Sequence, residues 1–119
     1  MPFTKILSQM VNAVDGGLGA VFLDEECEYV QYYGHMDSFR QKLMGAYQGI
    51  LFGQIRMRIK KLTPSLPTKI VSEYENAQFI TQQLKSGYFL VLALESHANV
   101  GKAMAELQRV ADILNEEIV

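Results

Sequence analysis

The side chains able to do chemistry are few and do not assemble into a site. His35 and His97 stand apart, each beside a turn and without a second imidazole or thiol at ligand spacing, so no metal site is expected. Ser96 directly precedes His97, but no G-x-S-x-G elbow or cysteine-based signature surrounds either residue. Cys27 is the single cysteine and reads as a small packed hydrophobe. Gly16, Gly17 and Gly19 lead into an apolar strand, whereas a phosphate loop must open onto a helix whose amides face the anion. Gly101 and Lys102 lack an upstream glycine at phosphate-loop spacing. Tyr29, Tyr32 and Tyr33 fit cross-strand packing better than base stacking. We therefore expect no catalytic residue, no cofactor and no enzyme.

Charge carries more information. Between Ser38 and Ser72 there are seven Lys or Arg and no Asp or Glu, so this segment is +7 and leaves −9 on the remainder of a chain whose net charge is −2. A merely solvated helix mixes signs, with Glu placed ahead of Lys for i, i+4 support, and that support is absent here. The slightly acidic total argues against general nucleic-acid binding. No stretch reaches the roughly 18 apolar residues of a membrane span, so no membrane insertion is expected. The lone thiol and the lack of an apolar leader suit the cytoplasm. At 119 residues, with no linker or composition break, residues 1–119 read as a single domain.

These residues must be positioned by a recognisable order of elements. Phe3, Ile6, Leu7, Met10, Val11 and Val14 follow helical spacing up to Gly16 and Gly17. Leu18 to Leu23 and Cys27 to Tyr33 read as a hairpin around the acidic turn Asp24, Glu25, Glu26. Ser38 with Gln41 forms a capping-box pattern that opens a long helix to Leu62. Thr68 to Tyr74 alternates as a half-solvated edge strand after Pro67, and Ala77 to Leu84 follows a tight turn. Tyr88 to Leu94 is an unbroken apolar run, expected to be buried on both faces. Asn99 caps a last helix whose apolar face includes Ala103, Leu107, Ala111 and Leu114. The fold class is α+β: helix, two strands, helix, three strands, helix. One long helix lies on one face of a five-stranded antiparallel sheet and two helices lie on the other.

That order resembles the roadblock family, the dynein light chain and bacterial small-GTPase regulator group related to longin domains. The likeness rests on the run from Gly16 through Gly19 to Asp24, on Gly87 through Leu94, and on Asn99, Val100, Gly101 and Lys102 with the helix they open. Two features depart from the family pattern: the first hairpin turn, where a glycine is common, and three glycines inside the long helix. The resemblance implies a homodimer or heterodimer built through the long helix and the neighbouring edge strand, offering a platform to a small Ras-like GTPase. Some members accelerate GTP hydrolysis and others only scaffold, and the family does not itself bind nucleotide. Acceleration would work by positioning the partner's groups or by supplying a cation, for which Arg56 is the candidate. A pure scaffold or motor-associated light chain is the main alternative, and a PAS-like or profilin-like small-molecule sensor a further one.

The long helix is where these implications meet the residues. Gly45, Gly49 and Gly53 recur one turn apart, and each costs about 1 kcal/mol in a helix interior relative to Ala, so a neighbour must approach closely. Phe39, Leu43, Tyr47 and Ile50 form one apolar lobe, expected on the sheet. Met44, Leu51, Phe52, Ile55 and Ile59 form another, expected toward a twin. The expected dimer seam is thus Gly45, Gly49, Gly53, Met44, Leu51 and Ile59. The expected partner surface is Phe52 and Ile55, with Arg56 and Lys60 steering.

Overall fold

The computed structural model describes residues 3–119. Helix α1 (Phe3–Ala13) is followed by strands β1 (Gly17–Leu23) and β2 (Tyr29–Gly34) and the long helix α2 (Ser38–Lys60). Strands β3 (Lys69–Glu73), β4 (Ala77–Gln83) and β5 (Phe89–Glu95) then lead to helix α3 (Val100–Glu117). The strands form one sheet in the order β2-β1-β5-β4-β3, with every neighbouring pair antiparallel. The apolar run of β5 therefore lies at the centre of the sheet, buried from Phe89 through Leu94. β3 is an edge, as its alternation and Pro67 suggest, and β2 is the other.

Alternation along the strands divides the core into two layers. Ala20, Phe22, Leu90, Leu92 and Ile80 face α1 and α3, against Leu7, Met10, Leu107 and Leu114. Val21, Leu23, Val91, Phe79 and Phe89 face α2, against Phe52 and Met44. Register keeps these sets opposed, with Val21 across from Val91 and Phe22 across from Leu90.

Glycine decides how α2 meets its layer. A Cβ on Gly45 would lie 2.9 Å from the Val21 side chain, and one on Gly49 would lie 3.0 Å from Leu23 Cδ1 and 3.2 Å from Cys27 Sγ. Both glycines thus let the helix backbone rest on the sheet. Gln41 fills the same side, its amide Nε2 donating to the carbonyls of Ala20 and Tyr33. Gly19 and Gly34, paired across β1 and β2, leave the room that this amide occupies.

Several sequence expectations shift locally for identifiable reasons. The cap of α2 is Asp37, whose Oδ2 accepts from the Arg40 amide at 3.0 Å; Ser38 is the first helical residue and Gln41 is spent on the sheet. β2 starts at Tyr29 rather than Cys27, because Cys27 adopts a left-handed φ of 63° within the turn. Asp24 Oδ1 organises that turn by accepting from the amides of Glu26 and Glu28 at 2.9 and 3.0 Å. A left-handed residue here is what a glycine would otherwise supply.

Alanine substitutions separate the three helix glycines. Gly45→Ala is expected to lower stability by about 1–3 kcal/mol through overpacking on Val21, whereas Gly53→Ala, which meets no atom within 4 Å, should raise it by about 1 kcal/mol. Urea unfolding at one protein concentration measures both. Equal effects at the two positions would contradict this setting of the helix.

Candidate functional site

Because Gly45 and Gly49 turn one side of α2 onto the sheet, the opposite side is left bare. Phe39, Leu43, Tyr47, Ile50 and Met57 form a stripe along it, and Phe39, Tyr47 and Met57 are 71%, 57% and 68% exposed. From Phe39 to Met57 the stripe runs about 27 Å at the helical rise of 1.5 Å per residue. Single exposed apolar side chains are ordinary on a surface, but a contiguous row marks a contact site. Val71 and Tyr74, exposed on and beside β3, extend apolar surface toward the sheet edge.

The first lobe of the helix is therefore reversed relative to expectation, and the second is divided between core and surface. The lobe expected on the sheet is the exposed stripe. Of the seam expected at Gly45, Gly49, Gly53, Met44, Leu51 and Ile59, Gly45 and Gly49 are buried under their own chain, and Met44 is half-buried against the α2 layer. Leu51 is exposed, Ile59 half-buried, and Gly53 faces open space. Phe52, expected to touch a partner, has 0% exposure and packs on Phe89 with ring centroids 5.8 Å apart. For the buried members the physical reason is one: the side carrying Gly45 and Gly49 is where the backbone comes closest to β1, so Phe52, at nearly the same angle, is driven into the core. Met57 belongs to the bare stripe and was absent from both expected lobes; counting helical turns onward from Phe39 would have found it.

Basic side chains flank the stripe. Arg40 and Arg58 lie along one side and Lys42 and Lys60 along the other, all but Lys42 well exposed. Lys42 is half-buried, its Nζ standing 4.3 Å from the Tyr29 ring centroid and 4.8 Å from that of Tyr32. Those tyrosines, both on β2, pack edge to face across 5.6 Å along one strand rather than across two strands as expected from the sequence. Among the described residues the contacts between basic and acidic side chains are Arg109 with Glu106 and the His97 ring with Glu95, so no cation of α2 has a carboxylate partner. Arg56 is half-buried and donates to the Pro67 carbonyl, which fastens α2 to the segment before β3. Ile55 is half-buried, while Lys60 is free at the surface.

Beside the C-terminal half of α2, a cleft of about 490 Å³ opens between Gly53, Arg56 and Lys60 on the helix and Glu25 and Cys27 on the first hairpin turn. The Cys27 thiol is pushed up from its ordinary pKa, first by burial and then by the Asp24 charge, so it stays protonated at neutral pH. No group of three or more His, Cys, Asp or Glu suited to a metal ion occurs among the described residues, and none of their helices is long and apolar enough to cross a membrane. Directly beneath α2, at Gly19 and Gly45, the free space is only about 10 Å³.

No protein-family model matches this sequence, and no curated relative is found by sequence. Solved structures do match. A Roadblock/LC7 domain from Streptomyces avermitilis superposes with a TM-score of 0.87 at 16% identity, over 96% of this chain and 95% of that one. Gliding protein MglB of Thermus thermophilus gives 0.82 at 14% identity, over 94% and 84% of the two chains. MglC of Myxococcus xanthus gives 0.70 at 24% identity, over 99% and 100%. These are similarities of architecture at low identity, and they extend over nearly the whole of this chain. The chain has the roadblock fold.

Proposed function

We propose that this chain is a non-catalytic regulator or adaptor that pairs with a second copy through the bare side of α2 and the β3 edge, and that the paired helices receive a small Ras-like GTPase. The observation that carries the proposal is the stripe of Phe39, Leu43, Tyr47, Ile50 and Met57, exposed along a helix whose cations have no carboxylate partner among the described residues. Fully burying such side chains is worth about 1.5–3 kcal/mol each, enough to favour pairing even after association costs. The structural likeness to gliding protein MglB and to MglC supports a regulatory role of this kind.

Two helices side by side would present a double set of unpaired cations. Complementary charge of that kind raises encounter rates with an acidic partner and loses the advantage as salt rises. Arg56 is tied to the Pro67 carbonyl, so any stimulation of GTP hydrolysis is assigned to positioning of the GTPase's own groups rather than to an arginine supplied from that position. A sensor role would need an enclosed apolar cavity; the clefts of about 490 and 760 Å³ beside α2 open to solvent, and the space beneath α2 is that of a single water.

Two measurements check these steps. Tyr47→Glu combined with Ile50→Glu is expected to convert a dimer to a folded monomer, read by light scattering and circular dichroism; an unchanged mass would place the seam elsewhere. For the partner, GTP hydrolysis and association of a Ras-like GTPase from the same genome are compared with and without this chain. Binding that slows about tenfold with Lys60→Glu and flattens in its salt dependence is expected. Binding without faster hydrolysis identifies an adaptor, and no association in any nucleotide state refutes the GTPase reading.

A further inference from the structure

Gly53 differs from its two companions. Gly45 and Gly49 are required by the chain's own packing, whereas a Cβ at Gly53 would meet nothing within 4 Å. Helix stability alone would favour alanine there, so the chain's own fold gives no reason for this glycine. It stands at the wall of the 490 Å³ cleft, with Phe89, Leu66 and Gly49 supplying apolar lining. Arg56 and Lys60 stand on the same wall without a carboxylate partner among the described residues, and Glu25 stands across from them. Ile50 and Met57 belong both to the cleft and to the exposed stripe, so the cleft continues the surface proposed for pairing and partner binding.

We infer that this cleft is a socket for an acidic peptide segment of a partner protein, which inserts one aromatic anchor over Gly53 and lays its carboxylates along Arg56 and Lys60. The volume suits a ring with part of its backbone, and the missing Cβ lets a flat group approach the helix closely. Arg56 keeps donors beyond the one given to Pro67, and Lys60 has all of its own. Glu25 on the opposite wall fixes polarity: the segment's acids must run on the α2 side, because the hairpin turn repels them. An aromatic anchor with charge-assisted bonds at its edge is the usual composition of a contact that holds tightly. The inference deepens the partner reading by naming what enters the surface, and it is tested without the GTPase so that the two can fail separately.

The probe is a short fluorescent peptide of glutamates around one phenylalanine, titrated into the full chain by anisotropy and by amide shifts. Binding is expected, with shifts centred on the amides of Gly53 and Gly87, and with affinity reduced about tenfold or more by Gly53→Leu, which fills the cleft from open space, and by Lys60→Glu. Replacing the phenylalanine by serine, or the glutamates by lysines, should abolish it. The inference is overturned if the acidic peptide does not bind, if the lysine peptide binds as well, or if Gly53→Leu leaves affinity unchanged while circular dichroism shows the helix intact. Peptide binding that persists where GTPase association fails would support the socket and remove only the GTPase as its source.

Discussion

The close seating of α2 on β1 sets everything else on this surface. With Gly45 against Val21 and Gly49 against Leu23 and Cys27, the helix can rotate only a little before a side chain strikes the sheet. That setting drives Phe52 to full burial and leaves Phe39, Leu43, Tyr47, Ile50 and Met57 pointing away from the protein. The exposed stripe is thus a consequence of two missing methyl groups on the other side. A helix with larger residues at those positions would stand farther from the sheet and present a different face.

The seating is asymmetric in strength. Among the described residues, the layer shared with α1 and α3 holds sixteen buried apolar residues, whereas the α2 layer holds seven. The α2 layer also contains polar groups: Gln41 reaching Ala20 and Tyr33, and Gln48 donating to the Tyr74 hydroxyl at 3.0 Å. Each such bond contributes about 1 kcal/mol net and a fixed geometry, less than an equal volume of well-packed side chains. The amide oxygens of Gln41 and Gln48 and the Thr81 hydroxyl, all facing this layer, have no protein partner. Covering the outer side of α2 by a second copy would add apolar burial where the monomer has least of it.

Much of this was readable from residue order. The apolar run at β5, the alternation at β3 and the Asn99 cap each follow from a local pattern that tertiary packing has no reason to override, and each stands where expected. The rotation of α2 was not readable in the same way. Both of its lobes are apolar, so periodicity has no preferred face, and only the glycines distinguish the side of close approach. Placing the glycines at a seam between copies and placing them on the sheet explain the same residues. The choice depends on Val21 and Leu23, which lie far away in sequence and enter only when the strand register is known. Asp37 displaced Ser38 as the cap for a related reason: Gln41, the second half of the capping box, has a stronger use at the buried β1–β2 junction.

A seam between two copies of a basic helix raises the question of how like charges come together. In a two-fold pair the same stripe meets itself, and a perpendicular axis near its middle, around Tyr47, makes the helices antiparallel. Arg56, Arg58, Lys60 and Lys61 of one copy then lie toward the N-terminal half of the other, away from the same residues of its twin. That end of the fold holds acids: Asp37 caps the helix, and Glu75 lines the same groove as Arg40 next to the β3–β4 turn. A parallel pair would instead stack the four C-terminal cations together, with nothing acidic to relieve them. Exposed charges more than about 8 Å apart are largely screened at physiological salt, so the residual repulsion of an antiparallel pair is small beside the burial of five large apolar side chains per copy. In such a pair the cations that flank the stripe would stay at the rim, where they would weaken pairing little and remain open to an acidic partner.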